Sequence, residues 1–182
     1  MILVLALGLW AGWPGGPAEA WDLKIGEWGG GAYYSTDFDI SRGDLISTGA
    51  LGFLATPLFQ APCMQLDLRL EASAANFWNY GSGLEVALVP SLRLYLLNGA
   101  KHGPNLYAEV GVGPSYNSMH IPEQGQGFNF LSFGGLGLRF RLPQACSLDL
   151  GYRIRHISNA GMNDVNGGVS CHMFMVELAW TY

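Results

Sequence analysis

The sequence predicts an all-β fold, a single eight-stranded antiparallel transmembrane β-barrel of the outer membrane. Three observations lead to that prediction. Segments of about 12–15 residues, long enough for a tilted strand to cross a bilayer, alternate apolar with polar side chains. The polar faces of these segments carry acidic and basic residues in equal number. The chain ends in an alternating strand with a terminal aromatic residue, Leu178 to Tyr182, as outer-membrane barrels commonly do.

Composition limits the alternatives. Charged residues form only 13% of the 182-residue chain and the formal net charge is −5. No basic cluster is present, so nothing indicates a nucleic-acid partner. The three cysteines, Cys63, Cys146 and Cys171, match no metal-binding spacing. Their odd number leaves at least one thiol free, and no pairing is predicted.

The first twenty residues differ in character from the rest. An apolar run from Met1 to Trp13 is followed by two prolines and two glycines and then by Ala18-Glu-Ala20, a small-x-small cleavage site. The pattern predicts a signal peptide over residues 1–20 and one barrel domain over residues 21–182. The missing Lys or Arg before the run departs from the usual signal, and a buried N-terminal helix is the alternative.

Eight strand-like segments follow the predicted cleavage site. They run roughly over residues 23–35, 45–59, 64–76, 84–97, 105–118, 128–142, 146–158 and 169–182. The first two are rich in glycine and threonine and alternate less clearly than the others. The connections near 60–63, 98–104 and 143–145 are mostly shorter than those near 36–44, 77–83, 119–127 and 159–168. Bacterial barrels place their longer loops outside the cell.

From the third segment onward each strand has one apolar and one polar face. The apolar faces are Met64 to Ala72 in the third segment, Leu88 to Leu96 in the fourth, Leu106 to Val112 in the fifth, Leu136 to Leu142 in the sixth, Leu148 to Ile154 in the seventh and Phe174 to Trp180 in the eighth, taking every second residue. The opposite faces carry six acids (Asp67, Glu71, Glu85, Glu109, Asp149, Glu177) and six bases (Arg69, Arg93, Arg139, Arg141, Arg153, Arg155). Buried charges need partners, so this balanced set suits an enclosed interior with the apolar faces toward lipid. A soluble lipocalin-like barrel, with the apolar faces inside, is the alternative.

The apolar face of the seventh segment ends in two polar residues, His156 and Ser158. They are two positions apart and share the parity of Ile154, so they point to the same side of the strand. A base beside a hydroxyl can activate it as a nucleophile. Ser170 and His172 have the same outward parity, and a symmetric hairpin brings Ser170 opposite His156. We therefore expect a polar patch on the lipid-facing wall near the outer leaflet, within reach of the acyl esters of a lipid.

These residues resemble a known family. His156-Ile-Ser158-Asn159-Ala160-Gly161, followed by Asn166-x-Gly168, is similar to the signature of PagL-type lipid A 3-O-deacylases, and the resemblance continues through Tyr107 to Gly113, Phe128 to Phe130 and Gly135 to Phe140. It implies an outer-membrane barrel of a Gram-negative bacterium that hydrolyses the ester-linked acyl chain at position 3 of lipid A. It implies no metal and no cofactor. The implied partners are lipid A or lipopolysaccharide and the surrounding outer-membrane lipids, and a homodimer is left open.

The resemblance also assigns roles to individual residues. Ser158 is the implied nucleophile and His156 its general base. Asn166 and the backbone N–H of Gly161 are the implied oxyanion-stabilising groups, supported by Asn159.

The third triad member is where this chain departs from the family pattern. The family has a carboxylate, usually Glu, at the position that Ser170 occupies here. A serine can orient the imidazole but brings no charge, and Asp164 in the adjoining loop is a candidate substitute acid. We expect a slower enzyme or one that recruits another acid.

Two rival functions remain. A non-catalytic structural or adhesive barrel fits the loss of the acid at Ser170, while the presence of His156 and Ser158 speaks against it. A lipid A palmitoyltransferase holds an acyl chain inside the barrel and therefore needs an apolar interior, which the predicted interior charges contradict.

Overall fold

The computed structural model describes residues 24–38, 44–79, 81–96, 103–119, 122–125, 127–162, 164–165 and 167–182. They form the strands β1 (Glu27–Asp37), β2 (Leu45–Ala61), β3 (Met64–Asn79), β4 (Gly83–Leu96), β5 (Asn105–Asn117), β6 (Gly127–Arg141), β7 (Cys146–Ser158) and β8 (Val169–Thr181). Each strand pairs antiparallel with the next, and β8 pairs with β1, so the sheet closes into a barrel. The predicted all-β, eight-stranded antiparallel barrel is confirmed. The predicted signal peptide lies outside the described residues.

The ends of the strands mostly fall where the sequence predicts them. The prediction of a longer loop at 77–83 is wrong, since only residues 80–82 connect β3 to β4. The ladder between these strands continues to the pair Phe77↔Gly83, so backbone pairing outlasts the apolar alternation. The connection between β7 and β8, residues 159–168, is long as predicted. We call the end of the barrel that carries this loop the upper end, and the end where β1 begins and β8 ends the lower end.

The barrel interior contains many charged side chains, most of them paired with an opposite charge. Its buried charged residues are Arg69, Arg93, Arg139, Arg153 and Arg155 together with Glu27, Asp67, Glu71, Glu85, Glu109, Asp149 and Glu177. Arg93 alone lies 2.7–2.9 Å from the carboxylates of Asp149, Glu109 and Glu177. Such multiple pairing is what keeps a charge tolerable away from water. The described interior therefore holds the predicted charges together with buried apolar side chains, among them Phe53, Phe133 and Met175.

One member of the predicted set is placed differently. Arg141 is exposed at the lower end, because β6 stops there and the side chain lies beyond the layer of paired charges. Glu27, which is absent from the predicted set, is buried and takes part instead. Its two carboxylate oxygens accept hydrogen bonds of 2.7 and 2.9 Å from Arg139. The sequence did not place Glu27 in the interior, because β1 is rich in glycine and its apolar and polar residues alternate only weakly.

Glycines make room for large interior side chains. The Tyr107 ring, itself fully buried, lies against the backbone of Gly137 and Gly151 on β6 and β7. A Cβ atom at Gly137 would lie 2.2 Å from this ring, closer than any ordinary contact. The Arg93 guanidinium also lies over this ring, 4.1 Å from its centre. These contacts fill the middle of the barrel and position β6 and β7, the strands that lead to the predicted site.

The outward faces form an apolar belt. Exposed large apolar side chains occur on every strand, among them Trp28, Leu70, Leu88, Val110, Leu136, Ile154 and Phe174. An exposed apolar surface of this extent is abnormal for a protein in water and normal for one solvated by lipid. Near the lower end Trp28 stacks on Trp180 with ring centres 4.9 Å apart, as expected where a barrel meets the membrane–water boundary. The sequence-derived orientation, polar inside and apolar outside, is confirmed.

Two further findings concern absent features. None of the described residues belongs to a helix that is long and apolar enough to span a membrane. No disulfide joins cysteines within the described ranges: Cys63 and Cys146 are free near the lower end, and Cys171 is buried.

Candidate active site

The predicted site lies where β7 ends and β8 begins. The two strands pair in the register His156↔Ser170, as the symmetric hairpin predicts. His156 Nδ1 and Ser170 Oγ are 2.9 Å apart and hydrogen-bonded. Both side chains are half-buried on the outer, lipid-facing wall at the upper end. The structure therefore brings together the predicted base and the residue at the predicted acid position.

Ser158 is the last residue of β7 and is likewise half-buried on the outer wall. In the register it faces Phe130 of β6, whose ring packs edge-on against Phe128 at a centre distance of 5.2 Å. The Ser158 hydroxyl is therefore closer to the upper end of the barrel than His156 is, and it lies beside the exposed pair of Phe128 and Phe130. A lipid ester near the headgroups can reach this position from the bilayer.

Asn159 organises the first part of the following loop. Its side chain is fully buried, its Oδ1 accepts a hydrogen bond from the Gly161 N–H (3.0 Å), and its Nδ2 donates to the Val165 carbonyl (2.8 Å). Ala160 and Gly161 have φ values of 53° and 80°, so the chain turns through two left-handed residues. Asn159 therefore stabilises the loop from within, and its role beside the oxyanion groups stays a prediction. The Gly161 N–H, an expected oxyanion donor, is engaged by Asn159 in this structure.

Two glycines at the end of the loop contact neighbouring parts of the site. Gly168 has a φ of 75° and lies directly against the imidazole, because an added Cβ would be 2.6 Å from His156 Cε1 and 2.9 Å from Nε2. The Gly167 N–H donates to the Glu123 carbonyl at 2.8 Å. Glu123 belongs to the connection between β5 and β6, so that connection braces the loop beside the histidine.

Neither Ser158 nor Asp164 is hydrogen-bonded to His156 among the described residues. Asp164 is exposed in the loop. Asn166, the other expected oxyanion donor, lies outside the described residues. The roles of these three residues therefore stay predictions.

Sequence reasoning missed a neighbour of the histidine on its other side. Ser132 of β6 faces His156 in the register, and its hydroxyl lies 3.5 Å from the His156 carbonyl oxygen, at the limit of a hydrogen bond. The histidine is thus flanked by a serine on each adjacent strand. The outward parity of Ser132 was visible in the sequence, but its level relative to His156 depends on the β6–β7 register.

The site has an imidazole and several hydroxyl groups. Among the described residues, no three His, Cys, Asp or Glu side chains are grouped to hold a metal ion. An imidazole whose Nδ1–H donates to Ser170 leaves Nε2 unprotonated and able to accept a proton. Such an arrangement can activate a hydroxyl for attack on an ester.

Known proteins resemble the chain both in sequence and in fold. The family model of lipid A 3-O-deacylase (PagL) matches residues 46–179. The fold is similar to the crystal structure of the outer membrane enzyme PagL, with 17% sequence identity, a TM-score of 0.63 and coverage of 84% of this chain and 99% of that chain. It is also similar to the crystal structure of Neisserial surface protein A, with 10% identity, a TM-score of 0.64 and coverage of 86% and 96%. A search among curated proteins finds no match.

At these identities the two structural similarities show the fold alone, since an enzyme and a surface protein share it. The family model is the more specific finding. Its match runs from β2 into β8 and includes all the residues of the predicted site.

Proposed function

Since this chain belongs to the lipid A 3-O-deacylase (PagL) family, we propose that it removes the 3-position acyl chain of lipid A in the outer leaflet by a Ser158/His156 mechanism. The observation that carries the proposal is the hydrogen-bonded pair of His156 and Ser170 on the lipid-facing wall. A polar pair in contact with lipid is costly and is usually kept for a function. Its position at the upper end suits a substrate whose acyl esters lie near the headgroups.

Acylation begins when His156 Nε2 takes the proton of the Ser158 hydroxyl as Oγ attacks the ester carbonyl carbon. The tetrahedral intermediate collapses when the bond to the position-3 oxygen breaks, and the imidazolium gives its proton to that leaving oxygen. Water, activated by the same imidazole, then attacks the acyl-serine and releases a free fatty acid. Each step returns His156 to its neutral form, so no metal or cofactor is needed.

Asn166 and the Gly161 N–H are assigned to stabilise the oxyanion of the tetrahedral intermediate by hydrogen bonds. Because Asn159 Oδ1 holds the Gly161 N–H at 3.0 Å, that donor has to exchange its partner for the substrate oxygen. Between turnovers, Asn159 Oδ1 accepts the hydrogen bond of the Gly161 N–H, so that this donor is never left unpaired.

Ser170 limits the rate in this proposal. Its hydroxyl orients the imidazole, but a neutral partner stabilises the imidazolium less than a carboxylate does. A hydrogen bond to a charged group exceeds a neutral one by about 1–1.5 kcal/mol. At roughly 1.4 kcal/mol per factor of ten, the missing charge slows acylation about tenfold. Asp164 supplies charge only if the loop moves it toward His156.

The test is the release of fatty acid from purified lipid A by the refolded barrel, followed by mass spectrometry. Ser158→Ala abolishes release, while Ser147→Ala, on the same strand at the lower end, leaves it unchanged. Ser170→Glu raises the rate about tenfold, because it restores the charge that stabilises the imidazolium. Asp164→Asn leaves the rate unchanged if Ser170 is the working partner, and abolishes it if Asp164 has taken over.

The alternative function is a non-catalytic surface barrel that has lost the acid at position 170, and the family match does not favour it. No fatty-acid release by any of these proteins, in barrels shown to be folded by heat-dependent gel mobility, would establish it instead. The homodimer stays a prediction.

A further inference from the structure

A second hydrogen-bonded polar pair lies on the same lipid-facing wall. The Tyr152 hydroxyl and His172 Nδ1 are 2.6 Å apart. Both side chains are half-buried, and the His172 ring also packs against Phe38 at a centre distance of 4.6 Å and against the Tyr152 ring at 5.9 Å. Two aromatic rings and a hydrogen bond hold the imidazole in one orientation. The proposed mechanism makes no use of this pair.

The register gives the position of the pair relative to the site. His172 faces Ile154 across the β7–β8 ladder, and His156 faces Ser170 directly above. Two residues along a strand span about 6–7 Å, and both positions point outward. The second imidazole is therefore one row deeper in the bilayer than the first, on the same strip of wall. A lipid whose ester is at Ser158 extends its acyl chains past this row.

The donor in the Tyr152–His172 hydrogen bond depends on the tautomer of His172. When the phenol donates to Nδ1, the Tyr152 O–H gains an acceptor that it otherwise lacks, and the ring proton of neutral His172 sits on Nε2. Within the described part of the chain, His172 Nε2 has no hydrogen-bond partner. An N–H donor left unpaired away from water costs about 1–3 kcal/mol. A lipid-facing donor at this depth can be satisfied by the carbonyl of an acyl linkage.

We propose that Tyr152 and His172 form a substrate-positioning site, in which His172 Nε2–H donates a hydrogen bond to the carbonyl of a second acyl linkage of the lipid being deacylated. The proposal rests on the proposed function, because it places the reacting ester of that lipid at Ser158. A substrate with several acyl chains is then held at two points on one strip of wall. Tyr152 acts through His172 by fixing the tautomer and the direction of the ring.

The experiment measures binding rather than turnover. Ser158→Ala barrels in detergent micelles are titrated with lipid A and, separately, with a diacyl glycerophospholipid, which also carries acyl-ester carbonyls. Tyr152→Phe and His172→Phe each weaken lipid A binding about five- to tenfold, the effect of one hydrogen bond. The double variant is no weaker than either single variant, because the two groups act as a unit. Glycerophospholipid binding does not change.

Tyr116→Phe is the matched control, since Tyr116 is another exposed tyrosine at the upper end of the outer wall. It leaves binding of both lipids unchanged. Equal lipid A binding by Tyr152→Phe and the Ser158→Ala parent overturns the proposal, and so does an equal loss for both lipids, which indicates a general lipid contact. In barrels with Ser158 intact, Tyr152→Phe raises KM and leaves kcat nearly unchanged.

The two proposals fail separately. If the unmodified barrel releases no fatty acid while lipid A binding still depends on Tyr152 and His172, the deacylase function is wrong and the positioning site stands. If fatty acid is released and neither substitution alters binding or KM, the deacylase stands and the positioning site is wrong.

Discussion

Gly168 offers a direct test of whether His156 is the working base. In Gly168→Ala the new Cβ would lie 2.6 Å from His156 Cε1 and 2.9 Å from Nε2. Carbon atoms pack at about 3.5–4.0 Å, so the imidazole has to move by about 1 Å. A displacement of about 1 Å in a catalytic group costs roughly a hundredfold in rate. We therefore expect the rate of lipid A deacylation to fall about a hundredfold.

A matched variant separates the effect of backbone strain at position 168 from the effect of the displaced imidazole. Gly168 has a φ of 75°, a conformation that costs alanine about 1–2 kcal/mol relative to glycine. Gly127, at the start of β6, has a φ of 92°, and a Cβ added there would have no atom within 4 Å, so Gly127→Ala carries similar strain without the clash. Both variants should lose similar stability toward urea, while only Gly168→Ala loses activity. Equal activities in the two folded variants would refute the assignment of His156 as the base.

Two predictions concern the stability of the barrel. Arg153→Met leaves two buried carboxylates without the guanidinium that contacts them at 2.7–2.8 Å, so the free energy of unfolding in urea should fall by about 3–5 kcal/mol. Exposed Arg141→Met is the control, and a similar loss there would contradict the argument from burial. Gly137→Ala places a Cβ 2.2 Å from the Tyr107 ring and should lower stability by about 1–3 kcal/mol, whereas Gly134→Ala, with its nearest atom at 4.0 Å, should not. Equal unfolding midpoints for these two glycine variants would show that the interior yields to the added carbon.

Much of the architecture follows from local pattern. The period-2 alternation predicts strand number, approximate strand ends and which side chains face lipid, because a strand alternates its faces whatever it pairs with. The opposition of His156 and Ser170 could also be predicted, since one short-range hairpin register decides it. The prediction at 77–83 was wrong because backbone pairing between β3 and β4 continued after the apolar alternation had ended.

The sequence by itself determined the barrel, its inside-out polarity and the outward strip that carries His156, Ser158 and Ser170. Only the tertiary structure decided which groups meet. Arg153 contacts Glu71, 82 positions away along the chain, and parity says only that both point inward. The contact of Gly168 with His156 and the Tyr152–His172 bond depend on strand register and side-chain reach. Alternation specifies a direction for each side chain, whereas a contact also requires two strands at one level, which closure of the barrel sets.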